Sequence, residues 1–252
     1  MWFWPFNNNE KTFKESGLLN GLVDWHTHIL PDVDDGVGNM NDALNVLKQY
    51  EHIGIKEVWF TPHINESMPN ETSFLRKRFD ELQEAYQLKS QKSEREPVVI
   101  HLASENMMDA LFWERLKSRD LLPMGDDGKH LLMQMSITQR ADDVFERMAD
   151  IVDAGYVPIL AHPERYSYMH RPDYHKLRKD MKVEFQLNLP SLAGLYGPEA
   201  KRRAETLLEA GYYTHLGTDL HNLHKFYAAM TEYKISKKHL DILREIIVSS
   251  SK

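Results

Sequence analysis

Two histidines two residues apart begin the clearest chemical pattern in the chain. His26 and His28 stand in the stretch DWHTHILPDVDDG, which covers residues 24–36. Side chains two apart in an extended strand point to the same face, so both imidazoles can reach one metal ion. Such a pair also fits two ordinary half-buried histidines, but the acidic run that ends at Asp35 adds oxygen ligands beside it. The stretch therefore predicts one wall of a metal site.

More histidines and carboxylates stand just after apolar runs that are typical of strands. They are His63, Glu105, His162, Asp219 and His221. Taken singly, each fits a turn residue, a helix cap or a carboxylate at a helix N-terminus. Because the C-terminal ends of barrel strands meet at one mouth, their recurrence at separate strand ends predicts a shared site instead. All the donors are nitrogen or oxygen atoms, which suit Mn, Fe or Zn.

The elements that must position these residues alternate between short strands and longer amphipathic helices. Strands are predicted at residues 22–29, 57–61, 98–103, 130–135, 157–161, 182–187 and 213–217. Helices are predicted at residues 40–53, 72–88, 108–117, 140–154, 174–179, 198–210 and 237–248. About seven βα repeats in 252 residues predict an α/β barrel around a parallel sheet.

The domain organisation is predicted to be simple. Residues 1–20 are interpreted as an N-terminal leader, and residues 21–252 as a single domain. The leader begins with the aromatic tip MWFWPF at residues 1–6. Tryptophan and phenylalanine favour membrane interfaces and partner proteins, but such a tip can equally fold back on the domain or stay loosely held.

Composition excludes several classes of function. The net charge of −7 argues against a nucleic-acid-binding surface, so no nucleic-acid partner is expected. The absence of cysteine excludes disulfides, thiolate metal ligands and phosphatases with a cysteine nucleophile. No apolar run approaches the ~20 residues that span a bilayer, and no secretory signal is recognisable. The sequence therefore predicts a cytoplasmic protein without an integral membrane segment.

Five blocks of the sequence resemble one protein superfamily. They are DWHTHILPDVDDG at residues 24–36, TPH at 61–63, AHPERY at 161–166, QLNLPSL at 186–192 and GTDLHN at 217–222. Together they resemble the polymerase and histidinol phosphatase (PHP) superfamily. More narrowly, they resemble its bacterial capsular and exopolysaccharide branch, which consists of metal-dependent protein-tyrosine phosphatases.

The resemblance implies a distorted seven-stranded (β/α) barrel with the metal site at the C-terminal ends of the strands. It also implies two or three divalent ions, mostly Mn, with Fe or Zn as alternatives. The implied ligands fall into three groups: His26, His28, Glu105 and Asp219; Glu105 again with His162; and Asp35, His63 and His221. Arg165 occupies the position of the arginine that binds the substrate phosphate in catalysis.

The chain departs from that branch at two positions. Gln134 stands where members usually carry a glutamate ligand, and a neutral amide oxygen should weaken the second ion's site. Phe226 stands where some members have a second phosphate-binding arginine. The adjacent Lys225 can bind substrate there, although only as a point charge without the fork of arginine.

The implied function is hydrolysis of phosphotyrosine on the tyrosine-rich tail of an autophosphorylated bacterial kinase in capsule or exopolysaccharide biosynthesis. Such a partner would place the protein near the membrane, while the oligomeric state stays open. A second hypothesis keeps the site but assigns a small phosphomonoester, such as histidinol phosphate or a sugar phosphate. A third hypothesis is a phosphotyrosine-binding protein whose metal site has decayed through Gln134.

Overall fold

The computed structural model describes residues 10–91 and 94–250, so the aromatic tip lies outside the described residues. The strands are β1 (Glu10–Lys11), β2 (Val23–Thr27), β3 (Glu57–Phe60), β4 (His63–Ile64), β5 (Val99–Leu102), β6 (Glu105–Met107), β7 (His130–Gln134), β8 (Val157–Ala161), β9 (Glu184–Asn188), β10 (His215–Gly217) and β11 (Ile235–Ser236). The α-helices are α1 (Phe13–Ser16), α2 (Met40–Ile53), α3 (Thr72–Ser90), α4 (Ala110–Ser118), α5 (Val144–Asp153), α6 (Arg171–His175), α7 (Leu189–Leu192), α8 (Pro198–Glu209), α9 (Leu223–Thr231) and α10 (Lys237–Ser250).

The central strands form two parallel ladders that continue into each other. One ladder has the order β2-β3-β5, and the other has the order β10-β9-β8-β7-β6-β4. β4 and β6 pair in the same register as β3 and β5, from which they are separated by two residues each. Parallel strands joined through helices bury both faces of a sheet, and apolar side chains cover both faces here.

The sheet curls until β10 approaches β2. The backbone N–H of Asp219 donates to the carbonyl of His26 at 2.8 Å, and the N–H of His28 donates to the carbonyl of Leu220 at 3.0 Å. These bonds join the segments that follow β10 to β2 and its continuation. The predicted α/β class and parallel sheet are thus confirmed in the form of a curled sheet with its C-terminal strand ends gathered on one side.

Helix α2 shows how the sequence fixes an element next to the site. The side chain of Asn39 accepts a hydrogen bond from the N–H of Asp42 and caps the start. Gly54 ends the helix with φ 82°, a conformation that side chains disfavour. Leu47 and Tyr50 are fully buried on its inner face. Burial of each such side chain contributes about 1.5–3 kcal/mol, so the apolar face holds the helix on the sheet.

Several elements differ from those predicted. The strand predicted at 57–61 is followed by a second segment, β4, after Pro62, which has no N–H to donate to a ladder. The helix predicted at 140–154 begins only at Val144, after Asp143. The helix predicted at 174–179 is replaced by α6 and a π-helical turn, Lys176–Asp180. Helix α9 was not predicted.

The described part of the predicted leader packs on the rest of the chain. β1 pairs with β11 in antiparallel fashion. Phe13 in α1 is fully buried, and Leu18 and Leu19 also belong to the main apolar core. Among the described residues, no helix is both long and apolar enough to cross a membrane.

Candidate metal centre

All eight histidine and acidic residues predicted as ligands lie together. They form three overlapping groups: His28, Asp35, His63 and His221; His26, His28 and Asp219; and His26, Glu105 and His162. Within each group the possible ligand atoms lie within 4.8 Å of one another. Gln134 occupies the end of β7 and is half-buried. The curl of the sheet thus brings side chains from residues 26 to 221 to one place.

The backbone is strained at two of these positions. His162 follows β8 directly and has φ 35°, while Asp219 follows β10 after one residue and has φ 50°. Residues other than glycine rarely adopt this left-handed conformation, which costs on the order of 1–3 kcal/mol and is typical of functional sites. The turn at each strand end therefore aims a ligand-type side chain into the cluster at the expense of local stability.

The two histidines of the His-x-His pair are oriented by hydrogen bonds on their far nitrogens. His26 Nδ1 lies 3.0 Å from the side-chain oxygen of Gln186, and His28 Nδ1 lies 2.7 Å from Asp34 Oδ2. Both partners are acceptors, so each Nδ1 carries a proton, and each Nε2, once deprotonated, directs its lone pair into the cluster. The two Nε2 atoms are 3.1 Å apart. Two lone pairs at this distance repel each other unless a cation, either a proton or a metal ion, lies against both, and the nitrogen and oxygen donors gathered here fit a metal ion.

Glu105 is the acidic centre of the cluster. Its Oε2 lies 3.3 Å from His26 Nε2, 3.4 Å from His28 Nε2 and 2.9 Å from His63 Nδ1. Its Oε1 lies 3.0 Å from His162 Nε2. Burial alone would raise the pKa of Glu105, but His26 and His63 hold it well below its usual range. Glu105 Oε2 and His63 Nδ1 are both buried, and neither atom has a hydrogen-bond partner in a suitable geometry. Buried polar atoms without such a partner are expected where both atoms are directed at a shared ion rather than at each other.

Asp219 uses its two oxygens differently. Oδ1 lies 3.5 Å from both His26 Nε2 and His28 Nε2. Oδ2 accepts hydrogen bonds from Arg165 Nη1 at 2.9 Å and from Asn188 Nδ2 at 2.8 Å. Burial opposes ionisation, but the surrounding histidines hold the pKa of Asp219 below its usual range. One oxygen is thus free for a cation, while the other is fixed by donors.

Asp34 supports the cluster from behind His28, a role that was not predicted from the sequence. Besides His28 Nδ1, its carboxylate accepts the backbone N–H groups of His63 and Gly36, both at 3.0 Å. Burial would raise its pKa, but His28 lowers it to about 2. Gly36 is required because a Cβ there would lie 2.2 Å from the carbonyl oxygen of His28. The sequence shows the adjacent acidic residues, but it does not show which of them faces His28.

Asp24 is a second buried support that sequence analysis did not single out. Its Oδ1 accepts the N–H of Thr218 at 2.9 Å, and its Oδ2 accepts the hydroxyls of Tyr50 and Thr218 at 2.8 and 2.7 Å. Burial raises the pKa of Asp24 to about 6 despite these bonds. This residue therefore ties β2 to the segment that carries Asp219.

Arg165 lies at the edge of the cluster on the 3-10 turn Pro163–Arg165. The neighbouring Glu164 points the other way and is buried, where it accepts the N–H of Asn188 at 3.1 Å and the hydroxyl of Tyr213 at 2.9 Å. This anchor fixes the turn, so the Arg165 side chain emerges beside Asp219. The guanidinium also lies 4.3 Å from the centre of the Tyr196 ring. This position of Tyr196 was not predicted from the sequence.

A cavity of about 460 Å³ adjoins the cluster, with Asp219 and His221 in its wall. Lys225 is exposed and also lines the cavity, as its predicted binding role requires. Phe226 lines it too but is largely buried, with its ring 5.6 Å from that of Tyr50. The residue at the position of the second arginine is therefore a core residue.

Comparisons with known proteins agree with this geometry. A profile of capsular polysaccharide synthesis proteins, CpsB/CapC, matches residues 22–249. The tyrosine-protein phosphatase YwqE of Bacillus subtilis is 27% identical over 208 residues, which cover 80% of this chain and 78% of that protein. The tyrosine-protein phosphatase CpsB of Streptococcus pneumoniae is 26% identical over 214 residues, which cover 80% of this chain and 84% of that protein.

A solved structure shows the same similarity at the level of the fold. It comes from work on YwqE and CpsB, described there as metal-dependent tyrosine phosphatases. It superposes with a TM-score of 0.72 at 25% identity and covers 89% of this chain and 87% of that chain. The resemblance noted in the sequence is thus confirmed, and the chain belongs to the CpsB/CapC family of capsular polysaccharide synthesis proteins.

Proposed function

We propose that this protein is a metal-dependent protein-tyrosine phosphatase. The observation that carries the proposal is the placement of His26 and His28 Nε2 atoms 3.1 Å apart beside Glu105 and Asp219, with both Nδ1 atoms held by acceptors. The names of the relatives as tyrosine-protein phosphatases supply the reaction class. Arg165 at the edge of the cluster supplies the cationic fork that a phosphoryl group requires.

The proposed cofactors are two or three divalent ions, with Mn favoured over Fe or Zn. His26, His28, Glu105 and Asp219 would hold one ion, Glu105, Gln134 and His162 a second, and Asp35, His63 and His221 a third. When bound, such ions neutralise phosphoryl oxygens and make water a stronger nucleophile at neutral pH. Gln134 would contribute a neutral oxygen only, so the second site is the weakest of the three.

The side chains around the cluster have separate tasks in this proposal. Arg165 binds the oxygens that do not react and keeps the phosphoryl group in line for displacement. Lys225 adds a positive charge at the cavity wall and draws in the dianionic ester. The tyrosyl leaving group has an ordinary pKa near ~10, so it departs with less protonation than an alkyl alcohol requires.

We also propose the finer form of the fold and its organisation. The two ladders and the bonds between the ends of β10 and β2 support a distorted seven-stranded (β/α) barrel of PHP type. In this count, β3 and β4 together form one strand, and β5 and β6 together form another. Residues 21–252 form the single domain, and residues 10–20 pack on it.

The proposed substrate is a phosphotyrosine in the tail of an autophosphorylated bacterial tyrosine kinase of capsule biosynthesis. The family supports the pathway, and the chemistry of the site supports an aryl phosphate. A cytoplasmic location next to a membrane-bound kinase follows from that partner and is proposed with it.

A panel of substrates tests the reaction class. Manganese-loaded protein should release phosphate from a phosphotyrosyl peptide at least tenfold faster, in kcat/KM, than from histidinol phosphate or a sugar phosphate. Faster release from either small ester would assign the protein to small-molecule phosphomonoesters. Tight binding of the peptide without any release would favour the alternative of a binding protein, which the neutral Gln134 supports.

A further inference from the structure

The cavity beside the cluster has an apolar part of its wall that the metal ligands do not account for. Its volume of about 460 Å³ lies within the range of small-molecule sites. Asp219 and His221 form the part of its wall that belongs to the metal cluster, whereas Leu195, Tyr196 and Phe226 form an apolar part. An ester with its phosphate at the cluster would therefore place its leaving group against apolar side chains.

Tyr196 connects this apolar wall to the charged part of the site. Its ring lies 4.3 Å from the Arg165 guanidinium carbon, which fixes the plane of the guanidinium by a cation–π contact. Its hydroxyl donates to Asp219 Oδ2 at 3.3 Å. An ordinary tyrosine has a pKa near ~10, so the phenol is a donor at neutral pH. One residue thus contacts the cavity, the phosphate arginine and the carboxylate.

The ring and the hydroxyl of Tyr196 contribute unequally to the recognition of a ligand in the cavity. Asp219 Oδ2 accepts two shorter bonds, from Arg165 at 2.9 Å and Asn188 at 2.8 Å, so loss of the hydroxyl leaves it satisfied. Loss of the ring, in contrast, removes both the face on which Arg165 rests and a large part of the apolar wall. The ring is therefore the part that matters for recognition.

We propose that this cavity is the leaving-group subsite, that it takes an aryl ring, and that Tyr196 determines the specificity of the subsite while it positions Arg165. The inference rests on the proposed function, because it assumes a phosphoryl group at the cluster. It extends that function by assigning the discrimination between aryl and alkyl esters to a residue outside the metal cluster.

The test measures binding rather than turnover. Phenylphosphonate and methylphosphonate have phosphorus–carbon bonds in place of the ester bond, so calorimetry can compare their affinities for manganese-loaded protein. Burial of a phenyl ring predicts that the unchanged protein binds phenylphosphonate about tenfold or more tightly. Tyr196→Phe should keep this ratio. Tyr196→Leu should reduce it to about threefold or less and weaken methylphosphonate about threefold, because Arg165 loses its support.

Two further variants separate recognition from general damage. Leu195→Ala shortens the wall without touching Arg165, so it should lower the phenyl preference and leave methylphosphonate unchanged. Tyr233→Leu makes the same change as Tyr196→Leu at an exposed position and should bind both ligands as the unchanged protein does. Manganese affinity and thermal unfolding of every variant show whether its site is intact.

The outcomes distinguish this inference from the proposed function. Retention of the phenyl preference in both Tyr196→Leu and Leu195→Ala would overturn the subsite, even if the protein hydrolyses phosphotyrosine. A phenyl preference that disappears in those variants would support the subsite, even if the unchanged protein hydrolyses no phosphotyrosyl peptide and the proposed function fails.

Discussion

Asp34 Oδ2 lies 2.7 Å from His28 Nδ1 and holds that imidazole with its other nitrogen facing the metal cluster. The Asp34 side chain is almost fully buried, so water cannot replace it as the acceptor. A carboxylate behind a metal-binding histidine fixes the ring and increases its basicity. In the proposed metal centre, Asp34 would therefore act on the ion through His28 and not as a ligand.

Replacement of this carboxylate should weaken metal binding. Asp34→Asn can still accept from His28, but it loses the negative charge and one of its backbone bonds, so we expect manganese affinity to fall about tenfold or more. Titration of metal-stripped protein measures the dissociation constant. Asp32→Asn is the matched control, because Asp32 is exposed and its charge partner Arg78 is 3.9 Å away. Equal affinity in the two variants would remove Asp34 from the account.

The close approach at Gly36 predicts a second difference between neighbouring positions. A Cβ at Gly36 would meet the carbonyl oxygen of His28 at 2.2 Å, whereas a Cβ at Gly38 would meet nothing within 4 Å. Gly36→Ala should displace the loop that carries Asp34 and lower both manganese affinity and thermal stability. Gly38→Ala should change the free energy of unfolding by less than about 1 kcal/mol. If Gly36→Ala binds manganese normally, the loop does not support the site.

Gln134 allows a test in which a substitution should strengthen metal binding. Gln134→Glu adds a carboxylate at the end of β7, and hard cations bind more tightly as carboxylate charge increases. We expect an added manganese equivalent per chain, or tighter binding of the weakest one, measured by equilibrium dialysis. Gln139→Glu makes the same change at an exposed position after the same strand and should have no effect. No difference between these variants would show that residue 134 is not part of the site.

His215 predicts a pH dependence of stability that is unrelated to the metal. This side chain is largely buried at the start of β10, next to Trp25, and burial lowers its pKa to about 3. The unfolded chain, with a pKa near 6.5, therefore binds more protons between about pH 3 and 6.5, and stability falls as the pH drops through this window. His130, Arg178 and Glu184 surround the ring.

The variant His215→Gln should lose that dependence. Between about pH 7 and about pH 5, the free energy of unfolding of the unchanged protein should fall about 2 kcal/mol more than that of the variant. Urea unfolding in the presence of a chelator measures both proteins without metal linkage. Parallel pH profiles would contradict a buried neutral His215.

The sequence predicted the ligand-type residues better than it predicted their supports. His162 and Asp219 were recognisable because each follows an apolar strand, and parallel strands deliver their ends to one place. Asp34 and Tyr196 were not recognisable, because their roles depend on long-range contacts with His28 and Arg165 that no local spacing encodes.

The helices and strands also divide into those that the local sequence predicts and those that depend on tertiary contacts. Strong periodicity located α2 correctly, whereas α9 was missed although Asn222 caps it with bonds from the N–H groups of His224 and Lys225. The helix spans only nine residues, about two and a half turns. Pro62 interrupts a strand that continues in register, which only the tertiary pairing reveals.

Phosphate release by metal-stripped protein, titrated with manganese on a phosphotyrosyl peptide, tests the central claim most directly. We expect saturable release that a chelator reverses and that Asp219→Asn reduces at least a hundredfold, because the variant loses the charge of the buried carboxylate. Release that is equally fast without metal, or in Asp219→Asn, would contradict a metal-dependent phosphatase built on this cluster.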